Sequence, residues 1–316
     1  MDRLQPVVVD GRFVNPAFLE PGPDAPREMG YRDFRRWRKE RKAKPRSKAA
    51  PRVPVHAREG PMPPAPERGV RATWVGHSSV VLQLDGLTYL CDPVWSRRAG
   101  GVVKRHTPPG VAWEDLPPVD ALLLSHDHYD HLDAATVKRL PRDVRVVCPT
   151  GVGRWLRRRG FTRVADLSWW ETAAVGAHRV TCVPAQHFSG RTLWDRNRTL
   201  WGGFVVEGPH AKAYFAGDTG WFAGFRQIGE AFPGLDLAMI PIGAYEPRWF
   251  MSSVHVDPQQ AGQAFLDVGA RVMLPIHWGT FRLADEPVDA PPGELLAWWD
   301  AKGLPRERVR VPALGE

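Results

Sequence analysis

The chain has 316 residues, enough for one large core or two ordinary domains, and its hydrophobic fraction of 43% is ordinary for a globular protein. No apolar run approaches a membrane span, and Met1-Asp2-Arg3-Leu4-Gln5-Pro6 lacks the charged-then-apolar-then-small order of a secretory signal. The formal charge of +8 is uneven: thirteen Lys or Arg face three Asp or Glu between Arg27 and Arg58, an excess of +10 that leaves −2 elsewhere.

Residues 1–69 are rich in Pro, Arg and Lys with weak apolar periodicity, and read as a basic N-terminal arm. Within it, Tyr31-Arg32-Asp33-Phe34-Arg35-Arg36-Trp37-Arg38 suits one or two basic helical turns with aromatics on a face, and 45–66 reads as an extended, semi-rigid linker. A solvated arm wrapping the domain and a membrane-surface role are both open.

From Val70 to the C-terminus, residues 70–316, the pattern is that of one catalytic domain. Segments 71–75, 80–84 and 88–91 read as strands, with Asp85-Gly86 as a hairpin turn. Further buried strands are expected at 121–124, 144–148, 180–183, 213–216, 237–240 and 272–276. Helices are expected at 151–159, 222–231 and 258–268, the last with Pro258 in its first turn. Strands followed by strands alternating with helices predict an α/β layered domain. Cys91, Cys148 and Cys182 are odd in number, far apart and set in apolar stretches, which suits buried thiols in a reducing compartment.

The chemistry concentrates at Ser125-His126-Asp127-His128-Tyr129-Asp130-His131, directly after the apolar run 121–124. Imidazole nitrogen and carboxylate oxygen are the ligands of a catalytic zinc site. In an extended loop His126 and His128 point to one side, while Asp130 and His131 can turn toward a second metal. Ligand-type residues recur at the ends of later strands: His187, Asp218 between glycines in Ala216-Gly217-Asp218-Thr219-Gly220, and His277. Loops at strand C-terminal ends gather functional groups on one edge of such a fold. A solvated histidine cluster does not account for seven such residues.

His126-x-His128-x-Asp130-His131, with His187, Asp218 and His277, resembles the ligand pattern of the metallo-β-lactamase superfamily. The resemblance implies a four-layer αβ/βα sandwich with two zinc ions at the edge of facing sheets. His126, His128 and His187 would hold one zinc, and Asp130, His131 and His277 the other, with Asp218 bridging; Asp130 and Asp218 would thereby be catalytic. Two such ions about 3.5–4 Å apart can share a hydroxide and clamp the attacking and leaving oxygens of an in-line displacement. The chain carries no GxSxG elbow or P-loop that offers a competing chemistry.

Text outside the ligands is similar to the branch holding N-acylphosphatidylethanolamine-hydrolysing phospholipase D: Trp74-Val75-Gly76-His77-Ser78-Ser79, Cys91-Asp92-Pro93, Leu193-Trp194-Asp195-Arg196-Asn197, and above all Ile240-Pro241-Ile242-Gly243-Ala244-Tyr245-Glu246-Pro247-Arg248-Trp249-Phe250-Met251. His255-Val256-Asp257-Pro258 and Ile276-His277-Trp278-Gly279 extend it. The implied activity is hydrolysis of a phospholipid diester to N-acylethanolamine and phosphatidic acid. The implied partner is a phospholipid or membrane surface, to which a basic arm would be drawn. The lack of a secretory-signal layout leads to the expectation of a cytoplasmic protein, with a peripheral place on the inner membrane face and a homodimer as open alternatives.

Tyr245 and Arg248 are candidates for the substrate rim; Arg248 suits a phosphate contact or a structural pairing, with Glu246 or another group, equally well. By resemblance, His255 is expected to position the phosphate or leaving oxygen. Asp92 is expected to orient a ligand imidazole through its other ring nitrogen. Asp92 and His77 both sit near strand ends that should face the metals, and His77 is read as satisfying a buried backbone group there; His56, His106, His178 and His210 are read as structural or exposed, and Trp169-Trp170 and Trp298-Trp299 as packing residues. Competing functions are a lactonase or sugar-phosphate hydrolase on a small soluble substrate, a nucleic-acid-processing protein and a silent metal-binding scaffold. The arm lacks a recognised nucleic-acid-binding module, so no nucleic-acid partner is expected.

Overall fold

A computed structural model describes residues 3–19, 26–44, 51–56, 60–192 and 194–316. In the arm, β1 (Val7–Val9) and β2 (Arg12–Val14) form a hairpin, and α1 spans Tyr31–Ala43. The first large sheet holds β3 (Val70–Gly76), β4 (Ser79–Leu84) and β5 (Leu87–Cys91). After the small pair β6 (Arg98–Ala99) and β7 (Val103–Lys104), β8 (Ala121–Leu123), β9 (Arg145–Pro149) and β10 (Val164–Leu167) complete it, with α2 (Ala134–Val137) and α3 (Val152–Arg157) between them. The second sheet holds β11 (Thr172–Val175), β12 (His178–Val183), β13 (Gly203–Glu207), β14 (Lys212–Phe215), β15 (Leu237–Pro241) and β16 (Val272–Ile276). Its helices are α4 (Gly224–Ala231), α5 (Arg248–Met251) and α6 (Pro258–Val268), with α7 (Pro291–Ala301) last.

The strand orders are β10-β9-β8-β5-β4-β3 and β11-β12-β13-β14-β15-β16. In each sheet the run of parallel pairs, β5-β8-β9-β10 and β14-β15-β16, ends its strands on one edge. Period-two alternation distributes the side chains of the first sheet. Val80, Leu82 and Leu84 pack with the second sheet's Phe204 and Phe215, whereas Val81, Leu90 and Leu122 pack with Val137 and Leu156 near α2 and α3. On the far side of the second sheet, Phe265, Leu295 and Trp299 cover Ala238 and Met273. The result is the expected four-layer sandwich, helices outside two facing sheets.

Strands and helices fall within a few residues of their expected places, and α6 spans Pro258–Val268 with Asp257 accepting from the Gln260 amide as its cap. The helix from Tyr31 runs longer than one or two turns. Its 13 residues are mostly strong helix formers, Asp33 accepts from the Gly30 amide, and Trp37 buries against Phe250 and Met251. The expected linker falls partly outside the described residues. Its described parts lie on the domain: Val55 bridges to Leu314, and Met62 is buried with Val75 and Val81. Cys91, Cys148 and Cys182 are free and buried. None of the helices among the described residues is long and apolar enough to cross a membrane.

Candidate metal centre

All seven expected ligands meet at the common strand-end edge: His126, His128, Asp130 and His131 after β8, His187 after β12, Asp218 after β14 and His277 after β16. Close approach depends on Gly217, whose φ is +62°; a Cβ there would lie 2.5 Å from the Ser125 Cβ, between the two ligand-bearing loops.

The side chains sort into two groups. His126 Nε2 lies 2.8 Å and His187 Nε2 3.3 Å from His128 Nδ1. In the second group, Asp130 Oδ2 lies 3.5 Å from His131 Nε2 and 3.7 Å from His277 Nε2. Asp218 Oδ2 joins them, 3.1 Å from both His131 Nε2 and His277 Nε2 and 3.8 Å from His187 Nε2. Ring orientation is set from behind. Asp92 accepts from His131 Nδ1 at 2.7 Å, and Val254 O accepts from His187 Nδ1 at 2.9 Å. Ser125 Oγ lies 2.9 Å from His126 Nδ1. Each leaves the Nε2 turned to the cluster, as metal ligands require.

These residues fit a bound metal. The Asp218 Oδ1 and His277 Nε2 atoms are buried without a hydrogen-bond partner. His277 Nε2 lies 3.1 Å from Asp218 Oδ2 but not in hydrogen-bond orientation, so each residue keeps a buried ligand atom unspent. Protonation follows the same division. Burial depresses His126 well below the ordinary imidazole value, His128 to about 4 and His187 to about 3, so this triad is neutral. Burial opposes charge at His277 and His131 too. There Asp218 and Asp130 prevail, raising His277 to about 9 and His131 well above 6.5. Burial likewise opposes ionisation of Asp130 and Asp218, but His131 and His277 hold both carboxyls well below the usual range.

His77 is a correction. Its backbone carbonyl does accept from Trp74 and the His277 amide, but its ring reaches the metal cluster. His77 Nε2 meets Asp130 Oδ2 at 2.9 Å, and its ring lies 4.0 Å from that of His277. His77, Asp130, His131 and His277 could together hold one ion. Its place at a strand end facing the metals was legible in the sequence; the ring's part in the cluster was not.

Tyr245 and Arg248 are also corrected. The Tyr245 hydroxyl is directed away and donates to Glu294 at 2.6 Å. Arg248 donates to Gln260 at 2.8 Å and to the His255 carbonyl at 3.1 Å, and lies 3.4 Å from Asp257. Neither lines the cavity beside the metals, and Arg248 pairs with these groups rather than Glu246. His255 does line it, its ring 5.1 Å from His187 and 5.4 Å from His277, with Nδ1 buried and unpartnered. That cavity, of about 580 Å³, opens from His128, Asp130 and Asp218. Packing roles hold for Trp169 and Trp299, which are buried and donate to backbone carbonyls.

The Beta-lactamase superfamily domain profile matches residues 88–278. An uncharacterized protein of Mycobacterium tuberculosis is 44% identical over 256 residues, covering 77% of this chain and 67% of that protein. N-acyl-phosphatidylethanolamine-hydrolyzing phospholipase D 1 of Caenorhabditis elegans is 42% identical over 232 residues, 68% of this chain and 65% of the relative. The chain belongs to the metallo-β-lactamase superfamily, in its N-acylphosphatidylethanolamine phospholipase D branch. Among solved structures, Igni18, a metallo hydrolase from Ignicoccus hospitalis, superposes with a TM-score of 0.61 at 25% identity over 78% of this chain and 96% of that one. This superfamily member is accordingly a metal-dependent hydrolase, and its His and Asp clusters fit metal binding.

Proposed function

We propose that this chain is a two-zinc phosphodiesterase of phospholipase D type, hydrolysing N-acylphosphatidylethanolamine-like phospholipids to N-acylethanolamine and phosphatidic acid. The observation that carries this reading is the Asp218 carboxylate, placed between the His126–His128–His187 group and the Asp130–His131–His277 group beside a largely apolar cavity. Two divalent ions held there would make a nucleophile from water and neutralise phosphoryl oxygens. Two relatives named for this hydrolysis, from C. elegans and Saccharomyces cerevisiae, support the substrate class.

The chain's own groups have separable tasks. Neutral His126, His128 and His187 offer lone pairs without first losing a proton. Asp92 and Val254 O fix two of the rings, so orientation is settled before substrate arrives. Burial keeps His255 neutral, and its ring beside His187, with Nδ1 unpartnered, can hydrogen-bond and position the phosphate or the leaving oxygen. The exposed cations Arg32, Arg35, Arg38 and Lys42 on α1, beside exposed Tyr31 and Phe34, suit an anionic bilayer surface.

The test is release of N-acylethanolamine from a defined phospholipid by zinc-loaded and by chelated protein, beside a lactone and a soluble diester. Zinc-dependent turnover of the phospholipid alone, or foremost, is expected. Faster turnover of the lactone would replace this reading with the small-substrate one.

A further inference from the structure

The arm, read from sequence as a linker-bearing extension, supplies one side of the cavity. Phe18, Met29, Phe34 and Trp37 all line it, opposite a floor made by His128, Asp130 and His255. Two latches hold this wall. At one end Trp37 stacks on Phe250, with centroids 5.1 Å apart and planes at 14°, and its indole donates to Asp285 at 3.1 Å. Lys44 joins the same carboxylate at 2.7 Å. At the other end Glu28 pairs with Arg196 at 2.6 Å and accepts from Asn197 at 3.3 Å.

The lining has a chemical direction. Asp130, Asp218 and the imidazoles gather at the metal end, whereas the arm contributes aromatic and thioether surface, with Asn15 and Glu28 as its polar members. Arg196 is the lone cation among the described lining residues, and Glu28 already neutralises it. An apolar chain lying along the arm would leave no charge stripped of a partner, while a polar one would gain little. About 580 Å³ is within the roughly 300–1,000 Å³ of small-molecule sites. Phe34 remains 39% exposed, so aromatic surface is still available for an occupant to cover.

We propose that the arm segment 26–37 forms a subsite for an acyl chain of the substrate, continuous with the metal centre, and so sets the preference for long-chain over soluble diesters. The proposal rests on the phospholipid reading above for the identity of the chain's carrier, but not for the chain itself. The arm is then a specificity element of the active site as well as a surface.

The experiment compares the wild-type protein with Phe34→Ser and Met29→Ser, both outside the metal cluster, at equal metal content. Two substrate series are used, one shortening the N-acyl chain and one the glycerol-linked chains. The expected result is a KM raised about tenfold for the long members of one series, with kcat and the short members unchanged. A second measurement needs no turnover: quenching of Trp37 fluorescence by a brominated long-chain amphiphile, assigned by its loss in Trp37→Phe and weakened in Phe34→Ser. Quenching without phospholipid hydrolysis would keep the subsite and remove the phospholipid. Equal KM changes at every chain length, or quenching indifferent to Trp37→Phe and Phe34→Ser, would overturn the subsite.

Discussion

Asp92 accepts a 2.7 Å hydrogen bond from His131 Nδ1, with both side chains completely buried. The same carboxylate accepts from the Ser125 amide at 2.7 Å, so one residue at the end of β5 fixes both the start of the ligand loop and its last imidazole. Replacing Asp92 by Asn removes the charge that holds the Nδ1–H tautomer. Metal affinity is expected to fall about 10–100-fold, read by competition with a chromophoric chelator, while Asp92→Glu restores part of it.

Asp218→Asn tests the bridge. The amide keeps the volume but loses the charge that faces His131 and His277 at 3.1 Å each. Turnover is expected to disappear, and metal content to fall toward one ion per chain. Near-normal activity with two ions bound would remove Asp218 from the bridging position.

Loading the site should release protons. His277 is raised from 6.5 to about 9 by Asp218 and Asp130 against the cost of burial, so it carries a proton at neutral pH without metal. Because its folded value is raised, the ion pairing stabilises the metal-free protein fully below about 6.5 and is lost as pH rises through about 9. The Tm of metal-free protein should therefore fall across that interval, with a smaller change once metal is bound. Calorimetric titrations in buffers of different ionisation enthalpy should show proton release near pH 7 that diminishes as pH rises through about 9.

Gly217→Ala separates local geometry from ligand identity. Its Cβ would meet Ser125 Cβ at 2.5 Å from a left-handed backbone, with no ligand altered. The expected cost is about 1–3 kcal/mol of stability in denaturant titration, with metal affinity reduced as Asp218 and the Ser125 loop separate.

His77→Phe tests the newly found contact. The ring volume is kept but the 2.9 Å bond to Asp130 Oδ2 is lost. Metal at the Asp130–His131–His277 group should weaken while His126–His128–His187 still binds one equivalent, resolved as two unequal sites by titration.

The sequence by itself determined the layered α/β class, most strands, helix α6 and the seven residues that converge on the metal centre. The reasons are local: apolar runs mark strands buried on both faces, and ligand side chains at strand ends stand out against them. Strands such as β13 at Gly203–Glu207 and helix α7 escaped, because short apolar runs beside Gly or Pro resemble loops until a neighbour pairs or covers them. Only the tertiary structure decided which polar groups face the metals. Tyr245 and Arg248 lie in a run similar to the phospholipase branch, yet Glu294, Gln260 and Asp257 draw them away from the cavity. His77 and the arm moved the other way, brought to the site by contacts across 53 residues to Asp130 and 248 residues to Asp285. Partners so distant along the chain leave no periodic mark on the residues between them, so proximity had to come from the folded sheets.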